Sequence, residues 1–310
     1  MRRVLIGVAT SAMLLSACGG GTSGGGASSS APAPTSNAPV SAADCVTAAS
    51  SSLKQAGTLL IGTDNPAYPP YYQGGETDAH PNWQFNDPYT GAGFEAAVAY
   101  AVAERLGFTQ DQVEWTVAPF SQTYKPGPTA WDFAIEQISF SEKRAQAVDF
   151  SDSYYDVNQA LIANNGTPAA SATSIADLAD LSLAAPIGTT SYDFIVNTIM
   201  PTQEAGAFST LADTVAALAA GQVDAIVVDL PTALYLADPY VQEGTDFKVD
   251  GQFETAAAGE YFGMTFEKGS PLVACVDLAL ADLKDDGSLQ AIQTEWLSQK
   301  TNVGEVPVLG

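Results

Sequence analysis

One histidine, three cysteines and eleven basic residues among 310 set the first limits on this chain. With His80 as the sole histidine, neither a Ser-His-Asp triad nor a multi-histidine metal site can be assembled. Eleven Lys and Arg against 35 Asp and Glu give a formal charge of -24. That balance argues against nucleic acid as a partner and against docking to a membrane through basic residues. Acidity of this kind speaks first to solubility, and attraction for cationic solutes is a weaker implication. No repeat with a period of about 20–50 residues is visible. The apolar run at residues 4–15 is too short to span a bilayer comfortably.

What is present at the front of the chain reads as an export signal. Arg2 and Arg3 precede the apolar run, small residues follow it, and Leu15-Ser16-Ala17-Cys18 matches the bacterial lipobox. A signal peptide is therefore expected over 1–17, with Cys18 carrying lipid after cleavage. Residues 19–42 are Gly, Ser, Ala, Pro and Thr with almost no charge or large apolar side chain, so a tether is expected over 18–50. With Cys18 lipidated, Cys45 and Cys275 remain in a compartment where disulfides persist, and a single bridge between them is expected. The length and 46% hydrophobic content suit two lobes of modest size.

The rest of the chain is organised around residues 131–155, WDFAIEQISFSEKRAQAVDFSDSYY. Residues 133–140 read as a buried strand in which Glu136, Gln137 and Ser139 must serve something polar at its end. Arg144 follows alone, then the short strand and turn of Val148-Asp149-Phe150-Ser151-Asp152. The block closely resembles the D-x6-S-x-[ST]-x-x-R-x3-V-D-F-S-x-x-Y signature of the amino-acid-type, family 3 solute-binding proteins that serve ABC importers. The resemblance extends over most of the chain after about Gly57. It implies a type II periplasmic-binding-protein fold: two Rossmann-like α/β lobes joined by two extended hinge segments. Lobe one is expected over 51–164, lobe two over 165–256, and a return to lobe one with two C-terminal helices over 257–310.

Along the chain, a strand at 58–63 delivers Asp64, and residues 65–72 form a proline-stiffened aromatic loop at its carboxyl end, where open α/β sheets bind ligands. The resemblance makes this loop, with Asp64, Tyr68 and Tyr71, one wall of a solute pocket; stapling of Tyr71 and Tyr72 onto the core is the rival reading. A long polar loop at 73–93 carries His80. Glu95 then opens a helix in a Gly-Phe-Glu sequence where the family usually has G-F-D-x-D. Residues 113–117 read as a strand. Prolines and glycine forbid a regular helix over 119–128, where Phe120 and Tyr124 are candidates for specificity or for loop packing. Residues 158–164 read as the strand that first crosses towards lobe two, and 181–185 as a strand within that lobe. The Gly188-Thr189-Thr190 turn opens a helix at 192–200 and, aligned with the family's G-[ST]-[ST] turn, is expected to hold a carboxylate. Residues 223–228 form a buried strand ending at Asp229. The resemblance gives that residue the solute's α-amino group; capping of a helix beginning near Pro231 is the plainer alternative.

The expected ligand set is thus Asp64, Tyr68, Tyr71, Phe120, Gln137, Ser139, Arg144, Thr189, Thr190 and Asp229, with no metal, no cofactor and no catalytic residue. The alternative for Arg144 is an ion pair with a carboxylate such as Asp149. The expected function is a monomeric, lipid-anchored solute-binding protein on the outer face of the cell membrane. It would close on an amino acid or relative and deliver it to an ABC importer permease. Two rivals stand beside it. One is a dehydratase-type enzyme on the same fold, for which Glu136 is the only acid or base on the pocket side. The other is a sensory or adhesive lipoprotein without a transporter.

Overall fold

The fold starts earlier than composition suggests. In a computed structural model that describes residues 41–238, 245–298 and 306–310, helix α1 (Ala42–Ala49) occupies ground expected to be tether. Ser41 caps it by accepting a hydrogen bond from the Asp44 amide at 3.1 Å, and Ala42 and Val46 are buried in the core of lobe one. A short run of small residues can order itself when its apolar members find a packed surface, since tertiary packing supplies most helix stability. The expected signal peptide and Cys18 lie outside the described residues.

Lobe one continues with β1 (Leu59–Thr63), α2 (Phe94–Arg105), β2 (Val113–Val117), a single turn α3 (Phe120–Thr123), β3 (Phe133–Ala134), α4 (Glu142–Ala145) and β4 (Asp149–Phe150). The strand expected over 133–140 is only two residues long, because Gln137 takes a positive φ of 48° and bends the chain away from the sheet. A four-residue helix also forms in the 119–128 segment, between Pro119, its N-cap, and Pro126 and Pro128, which bar anything longer. The chain leaves through β5 (Tyr155–Asp156).

Lobe two comprises β6 (Gln159–Asn164), β7 (Leu183–Pro186), α5 (Thr190–Phe194), β8 (Gly206–Phe208), α6 (Leu211–Ala219), β9 (Ala225–Asp229), α7 (Leu230–Leu236) and β10 (Phe247–Phe253). The expected helix at 192–200 begins two residues earlier and continues past Phe194 as a π-turn to Ile199. The chain returns through β11 (Tyr261–Phe262) and β12 (Thr265–Phe266), then α8 (Leu272–Asp285) and α9 (Ser288–Gln293).

Two five-stranded sheets result, ordered β2-β1-β3-β12-β4 and β10-β6-β9-β7-β8. The outgoing and returning segments pair antiparallel as β5 and β11, which makes the connection a two-stranded hinge. In the first sheet β2, β1 and β3 run parallel, so Asp64 and residues 135–139 leave from the same, carboxyl edge. Buried Val, Ile, Leu and Ala dominate both sheet interiors, as expected for strands covered on both faces. One expectation for the C-terminus is corrected. The amide of Leu309 donates to the Gln252 carbonyl at 2.9 Å and that of Gln252 to Pro307 at 2.8 Å, so the last residues lie along the edge of lobe two and bury Leu309 there.

Candidate functional site

At the cleft, lobe one presents a guanidinium. Ser141 caps α4 by accepting from the Arg144 amide at 3.2 Å, which fixes the turn that carries the side chain inward. Arg144 is 7% exposed. Its Nη1 donates to the Ser139 carbonyl at 2.6 Å and its Nη2 to the Gly188 carbonyl of lobe two at 2.9 Å. The ring centroids of Tyr124 and Phe120 lie 4.5 and 5.3 Å from its Cζ, so the cation is held against aromatic faces. These two bonds use two of five guanidinium N–H donors. Burial lowers its pKa, and Tyr124, Asp229, Asp193 and Glu260 oppose that shift. Asp149, the alternative partner, is instead paired with Lys268 at 2.7 Å.

Beside the guanidinium, the Thr190 hydroxyl lies 3.2 Å from the Ser139 hydroxyl across the cleft. Thr189 caps α5, accepting from the Tyr192 amide at 3.1 Å and donating to the Pro186 carbonyl at 2.7 Å. Gly188 has φ of 81°, and a Cβ there would stand 3.1 Å from the Tyr124 hydroxyl. A side chain at this position would be strained by the backbone and crowded by the Tyr124 hydroxyl of the other lobe.

Asp229 faces this group from lobe two. Its side chain does not cap α7, which removes the plainer reading of its role. Gln159, at the start of β6, donates through Nε2 to Asp229 at 2.7 Å and to Glu260 at 3.0 Å, while accepting from the Ser191 hydroxyl at 2.6 Å. Gln159 thus ties the hinge, β9 and α5 together. The only trace of it in the sequence is a glutamine near the start of an apolar strand, and its full burial is seen only in the fold. Asp229 keeps some accessible surface, yet protein crowds it closely enough that burial and then Glu260 push its pKa up to about 8, against the pull of Gln159 and Arg144.

A carboxyl whose folded pKa is raised stabilises the fold fully below its ordinary value of 3.8, and that contribution is lost as the pH climbs through about 8. Solute-free Asp229→Asn protein is therefore expected to match the wild type near pH 4 and to exceed it by upward of about 1 kcal/mol at pH 8–9. Melting midpoints across that range check this; a difference independent of pH would count against it.

The wall at lobe one is built by close backbone approach. Gly93 has φ of 107° and a Cβ there would lie 2.3 Å from the Tyr71 carbonyl, so only glycine lets the aromatic loop sit on the start of α2. The amides of Phe94 and Glu95 donate to the Pro70 and Tyr71 carbonyls at 3.0 Å. Tyr71 is buried and its hydroxyl shares a hydrogen bond with Thr232 of lobe two at 3.0 Å. Tyr68 is 39% exposed and lies 5.3 Å from Phe85. The 73–93 loop holds this wall: the Asn86 side chain donates to the Ala67 carbonyl at 2.9 Å, and His80 meets Asp87 at 2.8 Å while stacking on Tyr89.

Gln137 does not turn its amide to the cleft. Its backbone N–H, at 2.7 Å, and its side-chain amide both donate to Glu95, which also accepts from the Tyr154 hydroxyl. Burial raises the Glu95 pKa to about 7, with these donors resisting. The expected residues therefore separate into Ser139, Arg144, Phe120, Thr189 and Thr190 around one point, Asp229 with Gln159 and Glu260 near it, and Asp64, Tyr68 and Tyr71 along the wall. A guanidinium and a carboxyl on opposite lobes can hold an anion and a cation of one small molecule.

Comparison with known proteins identifies the family and the fold. The family profile for bacterial extracellular solute-binding proteins, family 3, matches residues 72–299. The ABC transporter glutamine-binding protein of Bacillus subtilis (strain 168) is 26% identical over 169 residues, 54% of this chain and 58% of its own length. The L-cystine-binding protein of Escherichia coli (strain K12) is 27% identical over 266 residues, 79% of this chain and 84% of its own. Among solved structures, an ancestral arginine-binding protein bound to arginine is similar with a TM-score of 0.60 at 26% identity, over 78% of this chain and 99% of that one.

Proposed function

The chain belongs to the bacterial extracellular solute-binding proteins of family 3, and on that premise we propose that it captures a zwitterionic solute, an amino acid or a relative, for an ABC importer permease. The observation that carries this reading is the placement of Arg144 on lobe one and Asp229 on lobe two, within one cleft bridged by hydrogen bonds from Arg144 to Gly188, Ser139 to Thr190 and Tyr71 to Thr232. In it, Arg144 grips the carboxylate with help from Ser139, Thr189 and Thr190. Asp229, set by Gln159, receives the amine and ionises as it does so. Tyr68, Tyr71, Asp64 and Phe120 shape the remainder, and Gln137 acts by holding its loop to Glu95. The protein binds and releases its solute unchanged, and lipid on Cys18 keeps the body at the outer face of the membrane.

The relatives bind glutamine and L-cystine by name, which supports an amino-acid class and leaves its member open to test. A thermal-shift screen of amino acids, amines and small peptides is expected to find solutes that raise the melting temperature, since a ligand of the folded state alone stabilises it. Asp229→Asn is expected to abolish the shift for α-amino acids and to spare their deaminated analogues. Small-angle scattering with the best solute is expected to show a smaller radius than without it, as the lobes close on the hinge. An unchanged profile together with an unaffected Asp229→Asn would remove the clamp. Recovery of altered solute after incubation would favour the enzymatic rival.

A further inference from the structure

The carboxylate and amine poles leave one group in the cleft without a role. Gly62 and Ala134 are register partners in β1 and β3, and the Ile135 amide donates to the Gly62 carbonyl at 3.0 Å. Two residues beyond that register, Asp64 and Glu136 leave the strand ends side by side, and their carboxyls share a hydrogen bond. Glu136 is 5% exposed, and its Oε2 has no hydrogen-bond partner among the described residues. Asp64 is half-buried and lies near Tyr68 on the pocket wall. The titratable groups that bear on Glu136 are Asp64 from the end of β1, Glu95 from α2 and the Tyr72 hydroxyl from the aromatic loop. None of them is a cation. Burial and then Asp64 push the Glu136 pKa well above the usual carboxylate range, and burial raises that of Asp64 as well, so the pair favours holding a proton between its two carboxyls.

A buried carboxyl with one oxygen unpaired is costly unless something supplies the missing partner. The cleft has the same imbalance: among the described residues, Asp64, Glu136, Asp229 and Glu260 outnumber the one guanidinium described there, Arg144. A neutral zwitterion answers Arg144 and Asp229 and leaves Asp64 and Glu136 as they are. The distance also suits a third contact. Glu136 is three residues from Ser139, whose carbonyl touches Arg144, so the two poles are separated by a backbone span of at most about 10 Å. A long side chain can reach across a span of that size.

Resting on the zwitterion reading, we propose that Asp64 and Glu136 form a distal pole for an ammonium or guanidinium group, so that the solute is an α-amino acid with a long basic side chain. On binding, the O–H bond of the proton held by the Asp64–Glu136 pair breaks, that proton passes to solvent, and the cation takes its place between the two carboxylates.

Calorimetric titration of the full chain with arginine, lysine, citrulline and glutamine, in two buffers of different protonation enthalpy, tests this. Arginine or lysine is expected to bind at least about tenfold more tightly than citrulline, with release of roughly one proton. Glu136→Gln is expected to erase both the preference and the proton release while leaving citrulline and glutamine binding equal or tighter. Asp64→Asn, folded by its melting midpoint, serves as the second variant and is expected to lose the preference as well. Equal or tighter binding of citrulline and glutamine by the wild type, or an undiminished preference in Glu136→Gln, overturns the distal pole and leaves the zwitterion reading intact. Failure of every amino acid with binding of cadaverine overturns the zwitterion reading and keeps the pole; failure of arginine, lysine and cadaverine together overturns the pole.

Discussion

Replacing Arg144 with alanine is expected to weaken solute binding by about 2–5 kcal/mol, roughly thirtyfold to several-thousandfold in Kd. On the proposed role of Arg144, the loss combines a bidentate grip on the solute's carboxylate with the contacts that place the guanidinium. The guanidinium lies against Tyr124 and Phe120 and reaches across to Gly188, so its removal also takes away a hydrogen bond between the lobes. Arg144→Lys is expected to fall nearer to alanine than to wild type. A lysine ammonium has neither the planar fork for a carboxylate nor the flat face for Tyr124, and it cannot serve Ser139, Gly188 and solute in the same geometry. Calorimetric titration beside unfolding midpoints separates the possibilities: unchanged affinity with lowered stability would make Arg144 a structural residue.

Removing the disulfide is expected to cost about 2–5 kcal/mol of stability. Cys45 and Cys275 are bridged and stand 230 residues apart in sequence, so the crosslink closes almost the whole described chain into one loop. In the unfolded ensemble that restriction is near the upper end of what one bridge can supply, while in the fold it fastens α1 to α8, where Ala42 and Val46 share a core with Val276 and Ala279. Urea unfolding of Cys45→Ala/Cys275→Ala protein should show a lowered midpoint with a similar slope. Thiol labelling of denatured, unreduced protein lacking Cys18 should find no free cysteine. An unshifted midpoint, or two reactive thiols, would contradict the prediction.

The α/β architecture was legible because its signals are local. Strands such as 58–63 and 113–117 are short apolar runs bounded by turn residues, and they form β1 and β2 with boundaries moved by no more than one residue. The pairing of Cys45 with Cys275 followed from the count of cysteines. Misreadings arose where a nonlocal partner outweighed local pattern. Residues 133–140 look like one strand, but Glu95, more than thirty residues earlier, draws the Gln137 amides away from the sheet. Residues 42–49 read as an extension of the Gly- and Ser-rich tether before them, but the α8 surface and the disulfide order them.

For the site, the sequence by itself determined which chemistry is carried: one arginine in a polar strand end, a glycine and threonine turn, and an aspartate closing a buried strand. Those residue types follow from charge and propensity, which a linear reading can weigh. Only the tertiary structure decided how they are used. It gave Asp149 to Lys268, left the α7 cap without the Asp229 side chain, made Gln159 the link between Asp229 and Glu260, and brought Asp64 beside Glu136. The reason is that a buried polar group takes its partner from whatever the fold places within about 3 Å, and residues adjacent across a sheet or between lobes can be scores of positions apart in sequence.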